Sequence, residues 1–177
     1  MAEETAGLKR NLSRVELAFV VVFISILVAL AITKILSLGV KAEQTGVNIT
    51  INTLRTDLRY FAVHRILDGK IQRLDEMGGI NPFTSFREPP LNYHGEVSSA
   101  NLGDIEPGTW YFNVDNSVVG YRVEHADQLI STVPGPKRIR FRVELDYQDL
   151  DFNGRYDPGS ESVTGLVLAL VEGFSWK

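Results

Sequence analysis

The chain has 177 residues, 44% of them hydrophobic and 23% charged, with a formal net charge of −4 and no cysteine. That length suits one domain of ordinary size plus an appendage, and the composition fits neither a wholly disordered chain nor a multi-pass membrane protein. Without Cys, disulfides, iron–sulfur clusters, thiolate zinc sites and cysteine nucleophiles are excluded. His64, His94 and His125 lie far apart, without metal-ligand spacing.

The apolar residues are concentrated near the N-terminus. Leu17 to Ile32 reads LAFVVVFISILVALAI, sixteen residues with one Ser and no charge. Continued through Thr33-Lys34 to Val40, the stretch makes about 36 Å of helix, enough for a hydrocarbon core of about 30 Å. Lys34 can snorkel toward the headgroups. Lys9, Arg10 and Arg14 precede the span, so the positive-inside rule places residues 1–14 in the cytoplasm and 41–177 outside. Residues 15–40 are thus read as a single-pass transmembrane helix. Two other readings stay open. Ala29-Leu30-Ala31 has the form of a signal-peptidase site, and the run could be a buried core helix, although it lacks the polar face of one.

The charge divides along the same line. Residues through Val40 carry +1, and the remainder carries −5. A mildly acidic outer domain lacks the basic footprint that nucleic acid requires. Glu16 stands at the head of the apolar run, where a carboxylate is costly unless paired or held at the interface. The helix N-terminus and Arg14 offer it such a place.

After the span, Val47, Ile51, Leu54, Leu58, Phe61 and Ala62 recur at three- and four-residue steps, which predicts an amphipathic helix over 41–68, stopped by Gly69. Gly46 and the run V-N-I-T-I-N-T give poor helix propensity between Gln44 and Thr53, which makes this the weak point of the helix, where a kink or melted turn would be no surprise. Residues 69–108 hold many breakers, from Gly78-Gly79 and Asn81-Pro82 to Pro89-Pro90 and Pro107-Gly108, and read as a connecting loop. Four strand-like segments follow within 109–177: TWYFNV, VVGYRV, IRFRVEL and VTGLVLALV. Asp115-Asn116-Ser117 makes a hairpin turn between the first two. The aromatics Trp110, Tyr111, Phe112, Tyr121, Phe141 and Tyr147 are read as packing the sheet on the helix. Arg138, Arg140 and Arg142 alternate, so they share one face, either solvated or turned to an acidic partner. The fold class is α+β, a long N-terminal helix packed on a small antiparallel sheet.

The segment D-L-D-F-N-G-R-Y-D carries the sharpest chemistry. Asp149, Asp151, Asn153 and Asp157 stand at positions 1, 3, 5 and 9 of a calcium loop, with Gly154 at 6 and Arg155 offering its backbone carbonyl. Ser160 holds position 12, where a bidentate Glu is usual, and Glu161 follows one residue late. A Ca²⁺ ion is the expected cofactor, and a metal-free hairpin at Asn153-Gly154 is the alternative. The sequence contains no Walker loop, G-x-S-x-G, H-E-x-x-H or G-x-G-x-x-G. No catalytic residues and no small-molecule substrate are expected.

L-S-R-V-E-L-A-F-V-V-V-F-I-S-I-L-V-A-L-A-I resembles the N-terminal helix of type IV pilins and type II secretion pseudopilins. That family carries a Glu at the fifth mature position, which corresponds to Glu16 if Leu12 is the first mature residue. The N-P, P-P-L-N-Y-H-G and G-T-W-Y-F-N-V segments are similar to the globular part of minor pilins, those of mannose-sensitive haemagglutinin (MSHA) pili in particular. The resemblance implies a pilin-like fold in a bacterial inner membrane, with a periplasmic domain. It also implies partnership with other pilin or pseudopilin subunits and the inner-membrane assembly platform, Glu16 serving assembly. Prepilins carry Gly before the first mature residue, whereas Asn11 stands here and Gly7 is four residues too early. An unprocessed N-terminus is therefore expected, and with it an accessory or minor subunit rather than a major pilin. A membrane-tethered binding or adhesive module is the alternative, and an exported enzyme a distant third. A pilin-like chain needs one helix from about Val15 to Asp68, whereas a tethered module breaks near Gly39 or Gly46.

Overall fold

A computed structural model describes residues 13–69, 74–85 and 88–177. Gly7, Lys9, Arg10, Asn11 and Leu12, on which the expectations about processing and tail charge rest, lie outside the described residues. The chain divides into two compact units, Met1–Lys41 and Ala42–Lys177.

Helix α1 spans Arg14–Leu67, 54 residues. Its start is a capping box. The Ser13 hydroxyl accepts from the Glu16 N–H at 3.2 Å, and a Glu16 carboxylate oxygen accepts from the Ser13 N–H at 2.9 Å. In the first unit, apolar side chains from Val15 to Leu38 are exposed all round, so this segment is long and apolar enough to cross a membrane. Its hydroxyls are spent inside the helix. Ser25 donates to the Val21 carbonyl, Thr33 to that of Leu30, and Ser37 to that of Lys34, at 2.8–2.9 Å. No hydroxyl then needs a partner from a surrounding hydrocarbon.

In the second unit α1 buries Val47, Ile51, Leu54, Leu58 and Ala62, with Phe61 partly covered. The weak point between Gln44 and Thr53 stays helical. Burial outweighs propensity here: an interior Gly costs about 1 kcal/mol. Val47 and Ile51, 2% and 5% exposed, each gain about 1.5–3 kcal/mol by leaving water. Gly69 then ends the helix in the left-handed conformation at φ +70°, its N–H bonded to the Ile66 carbonyl.

The 69–108 region is more ordered than a plain loop. It contains a 3₁₀ turn at Asp75–Met77, a short helix α2 (Pro82–Ser85), strand β1 (Tyr93–Val97) and a second 3₁₀ turn at Ser99–Asn101. The four expected strands are β2 (Thr109–Asn113), β3 (Val118–Arg122), β5 (Arg138–Tyr147) and β6 (Val163–Leu170). The main sheet runs β1-β2-β3-β5-β6. It is mixed, not antiparallel as expected, because β1 pairs with β2 in parallel. Parallel neighbours need a crossover, and residues 98–108 provide it. That segment is held by its own small apolar cluster, Val97, Ile105 and Tyr111 with Leu102 packed against it. Two short strands not visible in the sequence, β4 (Leu129–Ser131) and β7 (Phe174–Trp176), pair antiparallel as a second sheet.

The main core gathers the buried stripe of α1 with Phe83, Trp110, Phe112, Val119, Tyr121, Ile139, Phe141, Val143, Leu166 and Leu168. Trp110 and Tyr121, directly paired across β2 and β3, have ring centroids 4.9 Å apart. Of the six aromatics expected to pack the sheet on the helix, Trp110, Phe112, Tyr121 and Phe141 do so; Tyr147 lies outside that core, half-buried against Tyr156, and Tyr111 is the other exception. It lies on the opposite face, in the second cluster.

Candidate functional site

The loop joining β5 to β6 carries the acidic motif. Gly154 adopts φ +71° and Phe152 φ +59°, so the chain turns sharply between Asp151 and Asp157. Each acidic side chain is tied to the turn. Asp149 Oδ2 accepts from the Gly154 N–H at 2.9 Å, and Asp151 Oδ1 from the Asn153 N–H at 3.2 Å. The Asn153 amide nitrogen donates to Asp151 and Asp157 at 2.9 and 2.8 Å, while its carbonyl oxygen accepts from the Arg155 N–H at 2.7 Å. Glu161 is only 7% exposed and closes the base, accepting from the N–H groups of Leu150 (2.8 Å) and Asp157 (3.0 Å).

Asp149, Asp151 and Glu161 each place a carboxylate oxygen within 4.8 Å of the other two. Asp149 Oδ1 is buried without a hydrogen-bond partner. A buried carboxylate oxygen without a donor is unfavourable, and a cation would relieve it. Oxygen-only ligands of this charge suit a hard divalent ion such as Ca²⁺. Of the residues named from sequence, Asp149, Asp151 and Glu161 converge, whereas Asn153 and Asp157 join them through the Asn153 amide. The Tyr147 phenol, beside the loop, is pushed up by desolvation and then by the charges of Asp149, Glu161, Asp157 and Asp151.

Sequence reasoning passed over Glu43. Its side chain is 3% exposed and accepts four hydrogen bonds from the β3 end of the sheet. The Tyr121 hydroxyl and the Glu124 N–H reach Oε1 at 3.1 and 2.7 Å, and the His125 N–H and ring Nδ1 reach Oε2 at 3.0 and 2.6 Å. The signal lies in the spacing. Glu43 is four residues before Val47, so it continues the buried stripe of α1 by one turn.

The other candidates have ordinary surroundings. His64 is exposed and stacks against Tyr60 with centroids 4.2 Å apart, and His94 is exposed on β1. Glu144 and Asp146, acidic residues that precede the loop, are exposed on β5. Arg138, Arg140 and Arg142 do share one face, opposite the buried Ile139, Phe141 and Val143. Arg140 is paired with Glu172, while Arg142 donates to the Asn116 carbonyl and Arg138 Nε to that of Pro136. Comparison with protein-family models, with curated proteins and with solved structures gives no match to this chain.

Proposed function

We propose that this chain is a membrane-anchored, pilin-like structural or accessory subunit of a bacterial type IV pilus, MSHA-like in type, or of a type II secretion system. Residues 15–40 would sit in the inner membrane and residues 41–177 in the periplasm. The partners would be other pilin or pseudopilin subunits and the assembly platform. The role is assembly through helix and domain contacts, not catalysis.

The observation that carries this reading is the second stripe of α1. Helical structure continues through both Gly39 and Gly46, where a flexible tether would break. Within the second unit, Ile49, Thr53, Thr56, Tyr60, Val63 and Leu67 recur at alternating four- and three-residue steps. At 100° per residue they lie opposite the buried stripe. Ile49, Tyr60, Val63 and Leu67 are each more than half exposed. A helix that buries one apolar stripe in its own domain and presents another is equipped to pack against further helices.

A structural Ca²⁺ in the 149–161 loop is the second part of the proposal, supported by the unpartnered Asp149 Oδ1 beside Asp151 and Glu161. The ion would clip the β5–β6 connection in a chain that has no disulfide to do so.

The test uses the absence of Cys in the wild-type chain. Tyr60→Cys and Val63→Cys variants, expressed in native membranes, should form crosslinks with other pilin-type subunits, identified by mass spectrometry. A His94→Cys variant on β1 supplies the control. Crosslinks that are equally frequent at all three positions, or absent at positions 60 and 63, would refute the helix-packing role.

A further inference from the structure

Beside the exposed stripe of α1 lies a groove of about 270 Å³, lined by Ile49, Thr53 and Leu54 of the helix and by Phe83, Glu88 and Pro90 across from it. Its floor is apolar, since Leu54 and Phe83 are buried members of the main core. Glu88 is exposed and makes no hydrogen bond or ion pair among the described residues. It is also the one charged group among the described lining residues. An occupant therefore needs an aliphatic stem for the floor and a cationic head for the rim, which is the build of an arginine or lysine side chain. A purely apolar knob would fill the floor but strip water from the carboxylate without replacing it.

The other flank of the same helix carries such side chains. Arg55 and Arg59, one turn apart, are both exposed and have no hydrogen bond or ion pair among the described residues. They line a small cleft with Leu166, Val167 and Leu168 of β6. On the groove side, Phe83 packs on Tyr93 of β1 with ring centroids 4.7 Å apart. Strands β1 and β6 are the two ends of the main sheet. Counted around the helix, the exposed stripe with Ile49 and Tyr60 runs between the groove and the arginines. The second unit thus presents an acidic groove at one end of its sheet, unpartnered cations at the other, and an apolar ridge between them.

We propose that a second copy of this chain docks on the groove, its Arg55–Arg59 flank laid so that a guanidinium reaches Glu88 while the stem covers Leu54 and Phe83. The inference rests on the helix-packing role proposed for α1 and names the partner in it. The contact is heterologous, because the patch that one copy offers differs from the patch it meets. A groove or a cationic flank stays open at each end, so the pairing can repeat. A two-fold pairing would instead set arginine against arginine and leave both grooves unfilled.

The test co-expresses full-length copies bearing two different tags in native membranes and measures how much of one is captured with the other. Wild-type copies should capture each other. Arg55→Glu/Arg59→Glu and Glu88→Arg should each lower capture severalfold. Combining all three changes in one chain should restore it, because each copy then offers acids where its neighbour offers a cation. Glu144→Arg, on the sheet face opposite α1, should leave capture unchanged. No capture between wild-type copies, or no restoration in the combined variant, would overturn the inference. If Glu88→Arg leaves capture between copies unchanged and lowers crosslinking to a different pilin-type subunit, the groove belongs to that subunit and the inference falls. Crosslinks from Tyr60→Cys and Val63→Cys that persist without capture between copies overturn this inference alone and leave the helix-packing role standing. Loss of both overturns both.

Discussion

The ring Nδ1 of His125 stands 2.6 Å from Oε2 of Glu43, a residue eighty-two positions earlier in the chain. The same carboxylate gathers the Tyr121 hydroxyl and two consecutive backbone N–H groups, so one α1 side chain fixes the first turn of the buried helix to the end of β3. The contact lies two residues beyond Lys41, within the second unit.

Glu43→Ala should therefore be among the most destabilising single substitutions in the domain. It strands three part-buried donors, while the exposed Glu124 N–H can turn to water; an unsatisfied buried donor costs about 1–3 kcal/mol, so a loss of about 3 kcal/mol is expected. Glu43→Gln, which keeps one acceptor oxygen, should lose less. Equilibrium denaturation of both variants checks the order, and an alanine variant as stable as wild type would show that the four bonds are not retained in solution.

Alkali should unfold the domain before it titrates the buried tyrosines. Burial, then the Glu43 charge and hydrogen bond, push the Tyr121 phenol well above its ordinary range, and burial raises Tyr93 and Tyr111 as well. The folded state thus holds protons that the unfolded state releases near pH 10. Stability is fully present below about pH 10 and falls as the pH rises through the window above it. Denaturation midpoints at pH 8, 9.5 and 11 should show the drop. Phenolate absorbance that rises for all six tyrosines near pH 10, in protein still folded, would count against it.

Calcium should raise the melting temperature of the full-length chain relative to chelator. The gain follows RT ln(1 + [L]/Kd), about 2.7 kcal/mol when the ion is about 100-fold above its dissociation constant. Lacking a bidentate ligand at position 12, the site is expected to work in the range of about 10⁻⁴–10⁻³ M. Asp151→Ala should abolish the shift. If the variant responds as wild type does, the ion binds elsewhere. If neither responds, the loop is a plain turn.

Glu16 has two roles that mutation can separate. As the third residue of a capping box it shares the helix start with Ser13, and losing such a cap costs about 0.5–2 kcal/mol. As an assembly residue it would act on neighbouring subunits. Glu16→Ala and Ser13→Ala should both weaken the cap, but only the former should reduce crosslinking to pilin-type partners, with membrane insertion intact. Equal defects in both would assign Glu16 to capping alone.

The elements of this protein are legible in its sequence wherever a periodic pattern is self-sufficient. The uncharged run from Leu17, the three-and-four spacing from Val47 to Ala62, the stop at Gly69 and the four strands from Thr109 onward all follow from local hydrophobic period and turn chemistry. The acidic loop is legible for the same reason, since its oxygens and its Gly lie within thirteen residues of one another. Propensity misleads at Gly46, because the burial that overrides it is a tertiary quantity. The parallel pairing of β1 depends on where residues 98–108 cross the sheet, and the β4–β7 pair joins residues more than forty positions apart. Such pairings have no local period to announce them. The Glu43 hub and the burial of Tyr111 against Gly120 are decided entirely by tertiary structure. A carboxylate on a helix and a tyrosine in a strand look the same in sequence whether they meet solvent or each other, and only the packed sheet determines what each one faces.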